Sequence, residues 1–177
     1  IKEFLNFFYF LRKLVNKSQI IIIRSSIFPG VVDKVCNILN GKNKNIVYCP
    51  ERIVQGKSIY ELPRLPQIIA GKKKSSIVTT KKLFKKITKK IIVTSVLEAE
   101  LIKLFSNANR YINFSIANQF YMICKENNLD FSRIRKIMRE GYERNLNLPV
   151  AGFTAGPCLL KDTMQISSFY KNKFSLG

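Results

Sequence analysis

The chain has 177 residues, 46% of them hydrophobic and 24% charged, which provides for a sizeable core and excludes a disordered chain. Its 31 Lys and Arg against 11 Asp and Glu leave a formal charge of +20, but the lysines, as in Lys81-Lys82 and Lys85-Lys86, fall on helix faces and loops across the whole length and form no strand-loop basic array interleaved with aromatic residues, so neither a nucleic-acid nor a membrane partner is expected. Histidine is absent, which excludes Ser-His-Asp and Cys-His nucleophilic mechanisms and the commonest zinc ligand.

Such a charge still favours small anionic ligands, nucleotides among them. The four cysteines, Cys36, Cys49, Cys124 and Cys158, are irregularly spaced with no Cys-x-x-Cys pair, so no metal site is expected. Without a secretory signal the expected compartment is the cytoplasm. The apolar opening from Ile1 to Val15 is interrupted by Lys2, Glu3, Arg12 and Lys13 and is too short to span a bilayer. A chain that opens on Ile1 in mid-helix reads as the remainder of something longer.

The spacing predicts a helix over 1–17, and Gln19 to Arg24 is a β-branched run of the kind buried on both faces. Ser25-Ser26-Ile27-Phe28-Pro29-Gly30 ends that strand as a turn, Val31 to Leu39 is helical, and Asn40-Gly41 stops it. Further strands are expected over 45–49, 66–71 and 90–94, with a basic helix over 76–87 between the last two. Strands that alternate with helices predict a parallel α/β sheet.

Beyond Ser95 the pattern changes. Val96 to Asn127 contains no breaker and repeats apolar residues at Leu97, Leu101, Leu104, Phe105, Ala108, Ile112, Ile116 and Phe120, which predicts one long helix. Asn127-Asn128 stops it, Asp130 is the expected N-cap of a helix ending near Glu140, and residues 144–155 read as loop. The domain boundary falls near Ser95, giving an α/β domain over 1–95 and a helical domain over 96–177. A helix so long and apolar predicts a homodimer formed through it, unless missing parts of a longer chain cover it.

Four short motifs carry candidate chemistry. In Gly156-Pro157-Cys158-Leu159-Leu160-Lys161-Asp162 the thiol of Cys158 stands just ahead of an expected helix start, where unpaired N–H groups, the helix dipole and Lys161 favour the thiolate. A small buried hydrophobe fits that position equally well. Ser25 to Gly30 follows a strand end, where parallel sheets present ligand-binding groups, although an ordinary strand-to-helix connection has the same form. Cys49-Pro50-Glu51-Arg52 also follows a strand, and Glu51 is a candidate base or water-orienting group, or an exposed loop carboxylate. Lys103 and Asn107 share a helix face with apolar neighbours, suited to holding an oxyanion beside a nucleophilic Cys, where a solvated lysine is the usual alternative.

Together, and in this order, these motifs resemble the UDP-glucose/GDP-mannose dehydrogenase family. The Cys-Pro-Glu-Arg and Lys-Asp-Thr-Met-Gln forms look most like the UDP-N-acetylmannosamine dehydrogenases. The resemblance implies the second half of a Rossmann-type parallel sheet followed by a helical central domain. It also implies oxidation of a UDP-sugar at C6 to a uronate in two NAD-dependent steps. Cys158 would attack the intermediate aldehyde to give a thiohemiacetal, then a thioester that water hydrolyses. Lys103 and Asn107 would stabilise the oxyanion, Glu51 would assist proton transfer and hydrolysis, and Asp162 would hold water or accept a proton. Ser26, Lys161 and Glu51 are the residues it places at the cofactor.

Three departures accompany the resemblance. Gln55 stands where glucose-specific members carry a second acidic residue, which disfavours UDP-glucose. Ala151 and Ala155 replace Pro and Gly, for a slightly stiffer loop. No G-x-G-x-x-G follows an early strand, and the first half of the dinucleotide fold and the C-terminal domain are missing, so weak or no turnover by this chain alone is expected. The alternative is a non-catalytic remnant that serves only as a dimerising module.

Overall fold

The computed structural model describes residues 1–39, 45–153, 157–171 and 173–174. The Asn40-Gly41 stop and residues 154–156 of the loop before the thiol lie outside them. Two compact units are present, Ile1–Lys103 and Leu104–Gly177, and one helix runs from the first into the second.

The first unit is built on four strands in the order β1 (Ile21–Ile23), β2 (Ile46–Tyr48), β3 (Gln67–Gly71) and β4 (Ile91–Thr94). Side chains of the middle strands alternate between two cores. Ile46, Tyr48, Ile68 and Ala70 face helices α1 (Lys2–Leu11) and α2 (Val31–Ile38), while Val47, Cys49 and Ile69 pack with Phe84 at the end of α4 (Lys74–Phe84). A strand apolar on both faces is stable only between two covering layers, which is the expected α/β arrangement. β2 and β3 are buried on both faces, whereas β1, the strand expected to be so, has Ile21 and Ile22 only partly buried at one sheet edge, and Ile92 and Val93 of β4 stay 40% and 48% exposed at the other.

The sheet departs from the expected parallel order at its centre. β1 pairs parallel with β2 and β3 with β4, but β2 and β3 are antiparallel. The first and last pairs are joined by α2 and α4, helices long enough to cross the sheet. The connection from Cys49 to Pro66 carries only the four-residue α3 (Ser58–Glu61). Pro50, Gly56, Pro63 and Pro66 interrupt it, so no crossover helix forms and the chain re-enters the sheet reversed.

Helix α1 is also shorter than its apolar spacing predicts: past Arg12 the chain tightens into turns, with Lys13 N donating to Phe10 O at 3.0 Å and Leu14 N to Leu11 O at 2.9 Å, and the Asn16 side chain then accepts the Ser18 backbone N–H at 3.0 Å. The long helix α5 (Val96–Glu126) forms as expected over 31 residues. It opens on a capping box: Glu98 accepts from the Ser95 backbone N–H at 2.9 Å, and the Ser95 hydroxyl accepts from the Glu98 N–H at 3.3 Å. It ends where Asn128 takes a left-handed φ of 56°. No helix among the described residues is long and apolar enough to cross a membrane.

In the second unit, α6 (Phe131–Arg139) starts at Asp130, whose side chain accepts from Ser132 N at 2.8 Å. A 3-10 turn at Glu143–Asn145 follows, where loop is expected, and then α7 (Pro157–Phe169). Leu104 and Ala108 of α5 bury against Ile166 of α7, and Ala117 and Cys124 against Phe131.

Leu104 is fully buried and Leu97 of the same helix is 50% exposed. Leu104→Ala is therefore expected to cost about 3 kcal/mol and Leu97→Ala about 0.5 kcal/mol or less, measured by urea unfolding. Equal losses would contradict this packing.

Candidate active site

Because β1 and β2 run side by side, Arg24 to Ser26 and Cys49 to Glu51 leave the sheet at the same edge. The ladder continues past the strands, with Cys49 N donating to Ile23 O at 2.8 Å and Glu51 N to Arg24 O at 3.1 Å. Glu51 then folds back on this edge. One carboxylate oxygen accepts the backbone N–H groups of Arg52 and Ile53 at 2.8 and 2.9 Å, and the other pairs with the Arg24 guanidinium. Burial pushes the Glu51 carboxyl up, but Arg24 and the two amides outweigh it and hold the group below the usual carboxylate range.

Glu51 and Arg24 line a cavity of about 660 Å³ with Ile53, Val54, Leu62 and Phe84. Cys49 beside them is fully buried, and burial pushes its thiol up to about 12 despite the nearby Arg24 charge. That cysteine is a packing residue. Ser26 sits half-buried in the turn between β1 and α2.

The turn is fastened by a residue that the sequence does not single out. Glu100 of α5 is fully buried, and its carboxylate accepts the N–H groups of Gly30 and Val32 at 2.7 and 3.0 Å. Gly30 has a left-handed φ of 80°, open to glycine without strain. Burial drives the Glu100 carboxyl above its ordinary value against the opposing pull of the amides. The N-terminus of α2 is thus already closed by a carboxylate, one helical turn before Lys103.

In the second unit, Asn107 and Asp162 come together. The Asn107 amide donates to Asp162 at 2.6 Å, and the two residues are 6% and 0% exposed. Lys103, half-buried, precedes Asn107 by one turn of α5. Helix α7 begins at Pro157 and not near Lys161, so Cys158 lies inside its first turn and not ahead of it. Proline is well suited to that first position, since its missing N–H has no helical acceptor there.

Cys158 is the exposed cysteine among the four, which removes the alternative of a small buried hydrophobe. Lys161 lies on the same helix, 3.6 Å from the Asp162 carboxyl, and the Thr163 hydroxyl donates to Leu159 O at 2.7 Å. The structure therefore joins Glu51 to the edge that bears Ser26, and Asn107 to the helix that bears Cys158, Lys161 and Asp162. Arg24 and Glu100 are the additions. A glutamate three residues before Lys103 resembles any solvated helical glutamate in sequence, and nothing around Arg24 marks it.

The family model described as the UDP-glucose/GDP-mannose dehydrogenase family NAD binding domain matches residues 6–88, and the model of that family's central domain matches residues 97–175. The chain belongs to this family. The UDP-N-acetyl-D-mannosamine dehydrogenase of Methanococcus vannielii is 32% identical over 149 residues, covering 84% of this chain and 34% of the relative. That of Pyrococcus horikoshii is 26% identical over 172 residues, covering 93% of this chain and 41% of the relative. A solved structure of a UDP-D-ManNAc dehydrogenase from Pyrococcus horikoshii superposes with a TM-score of 0.84 at 23% identity, over 97% of this chain and 43% of that one. The chain thus spans about a third to two-fifths of the length of the curated relatives it matches.

Two measurements test this site. Alkylation of the native protein is expected to label Cys158 first, with buried Cys49 and Cys124 reacting only on unfolding; early loss of the Cys49 thiol would refute its burial. Glu100 releases its proton less readily folded than unfolded, so its contribution is fullest below the ordinary glutamate value and is lost as pH rises through the raised one. Urea unfolding between about pH 3 and about pH 8 should show that decline in the parent and a shallower one in Glu100→Gln.

Proposed function

We propose that the chain carries the catalytic thiol and the oxyanion-binding residues of a nucleotide-sugar 6-dehydrogenase. Its substrate is a UDP-sugar, UDP-N-acetylmannosamine or a close relative, and it works in the cytoplasm. The observation that carries this reading is the buried Asn107–Asp162 hydrogen bond, which fixes the helix bearing Cys158 against α5 inside the second unit.

Cys158 adds through its sulfur to the aldehyde carbon at C6, and the carbonyl oxygen becomes the oxyanion of a thiohemiacetal. Lys103 and Asn107 hold that charge, taking the part that histidine plays elsewhere. Loss of the second hydride leaves a thioester on Cys158. Water adds to it, the sulfur leaves as thiolate, and the uronate is released. Asp162 holds the water or takes its proton, and Glu51 assists hydrolysis as an ionised acceptor. NAD, when bound, accepts the hydride in each oxidation.

The residues present fit part of that cofactor. Ser26 and Glu51 stand at the carboxyl ends of two parallel strands, the place where open α/β sheets take ligands, and Lys161 is the third expected contact. The α2 N-terminus does not fit the pyrophosphate, because the Glu100 carboxylate fills it.

A second reading, a non-catalytic dimerising module, draws on one observation. Phe105, Met122 and Ile123 of α5 are 53–61% exposed, apolar side chains that a second copy would cover.

In the longest form of the protein that cells contain, Cys158→Ser is expected to abolish uronate formation with UDP-N-acetylmannosamine and NAD. Normal product from that variant would refute the thioester route. Concentration-dependent association with no turnover in the parent would favour the module.

A further inference from the structure

The edge at which β1 and β2 end holds an arginine that the proposed chemistry does not use. One nitrogen of the Arg24 guanidinium donates to Gln67 Oε1 at 3.2 Å and another to Glu51, while its central carbon lies 5.1 Å from the centre of the Phe84 ring. Three different elements therefore hold it: the start of β3, the turn after β2 and the end of α4. A planar guanidinium fork gripped in this way is preorganised, and a lysine ammonium does not reproduce its geometry.

Glu51 is equally committed. Its second oxygen accepts two backbone N–H groups, and its own N–H donates to the Arg24 carbonyl. A side chain so surrounded cannot swing toward a substrate and acts only from where it is held.

We propose that Arg24 is a positioning residue for Glu51, fixing the carboxylate in the wall of the cavity as a stationary hydrogen-bond acceptor that orients a water or hydroxyl. The use of that acceptor in thioester hydrolysis rests on the function proposed above; the hold of Arg24 on Glu51 does not. The charged and titratable groups around Glu51 are Arg24 at the end of β1, Arg52, whose guanidinium turns to the Pro66 carbonyl, and Cys49, kept protonated by burial. Of these, Arg24 alone forms an ion pair with Glu51 among the described residues. The lowered ionisation range of Glu51 agrees with this geometry.

The test is a titration of the Glu51 carboxyl by carbon NMR in the full chain. In the parent its midpoint is expected below that of an ordinary glutamate. Arg24→Met should raise it by about one unit or more, a tenfold change in acidity, and Arg24→Lys, which keeps the charge without the fork, should give a value between the two. A parent midpoint at or above the ordinary value overturns the proposal, as does an unchanged midpoint in folded Arg24→Met. If that variant does not fold, the parent and Arg24→Lys decide between the same outcomes.

Kinetics of the longest cellular form then separate the two readings. Loss of kcat with little change in KM, and an acid limb of the pH profile that moves with the Glu51 midpoint, supports both. A midpoint that moves while the profile stays fixed leaves Arg24 as the positioning residue and refutes the hydrolytic role of Glu51. A midpoint that does not move refutes the inference about Arg24 whatever the kinetics show.

Discussion

The first unit depends on one constraint: β2 and β3 are apolar on both faces. Each fully buried Ile or Val side chain contributes about 2 kcal/mol only if something covers it, so a layer of helix is required on each side of the sheet. With both faces taken, polar groups collect where the strands end. The antiparallel step between β2 and β3 decides which groups meet there. It sets the carboxyl ends of β1 and β2 beside the amino end of β3, which brings Gln67 to Arg24 and the Pro66 carbonyl to Arg52. A sheet parallel throughout would place the end of β3, Gly71, at that edge.

Buried polar ties then give each unit its register. An unpaired carboxylate or amide in these surroundings would cost several kcal/mol, so the pairs act as keys that fit one arrangement. Glu100 fits the first turn of α2, and Asp162 fits Asn107. Both ties draw on α5, so the helix that carries Lys103 and Asn107 is fixed in rotation within each unit it passes through. Such fixing is what the oxyanion role proposed for Lys103 and Asn107 requires, because donors of that kind work only when they are aimed before charge develops.

Much of this was legible in the sequence. The four strands, the long helix and the Asp130 cap followed from periodicity and from residues with one dominant local use. What periodicity does not contain is strand direction, since an apolar run reads the same in a parallel or an antiparallel neighbour; the signal was the broken connection from Cys49 to Pro66. The helix start expected after Cys158 falls instead at Pro157, because proline suits a first helical position. Arg24 and Glu100 were invisible for a simpler reason. Their partners are distant in sequence, Glu51 and Gln67 for the one and the Gly30 turn for the other, and only the fold brings them together.

The capping box of α5 has its own meaning in acid. Glu98 is fully exposed, yet its bonds to the Thr94 hydroxyl and to the Ser95 hydroxyl and backbone N–H hold its carboxyl at about 2. The group therefore keeps its charge under conditions that protonate ordinary carboxylates. As acid is added, the cap at the start of the long helix is therefore held longer than a contact made through an ordinary carboxylate.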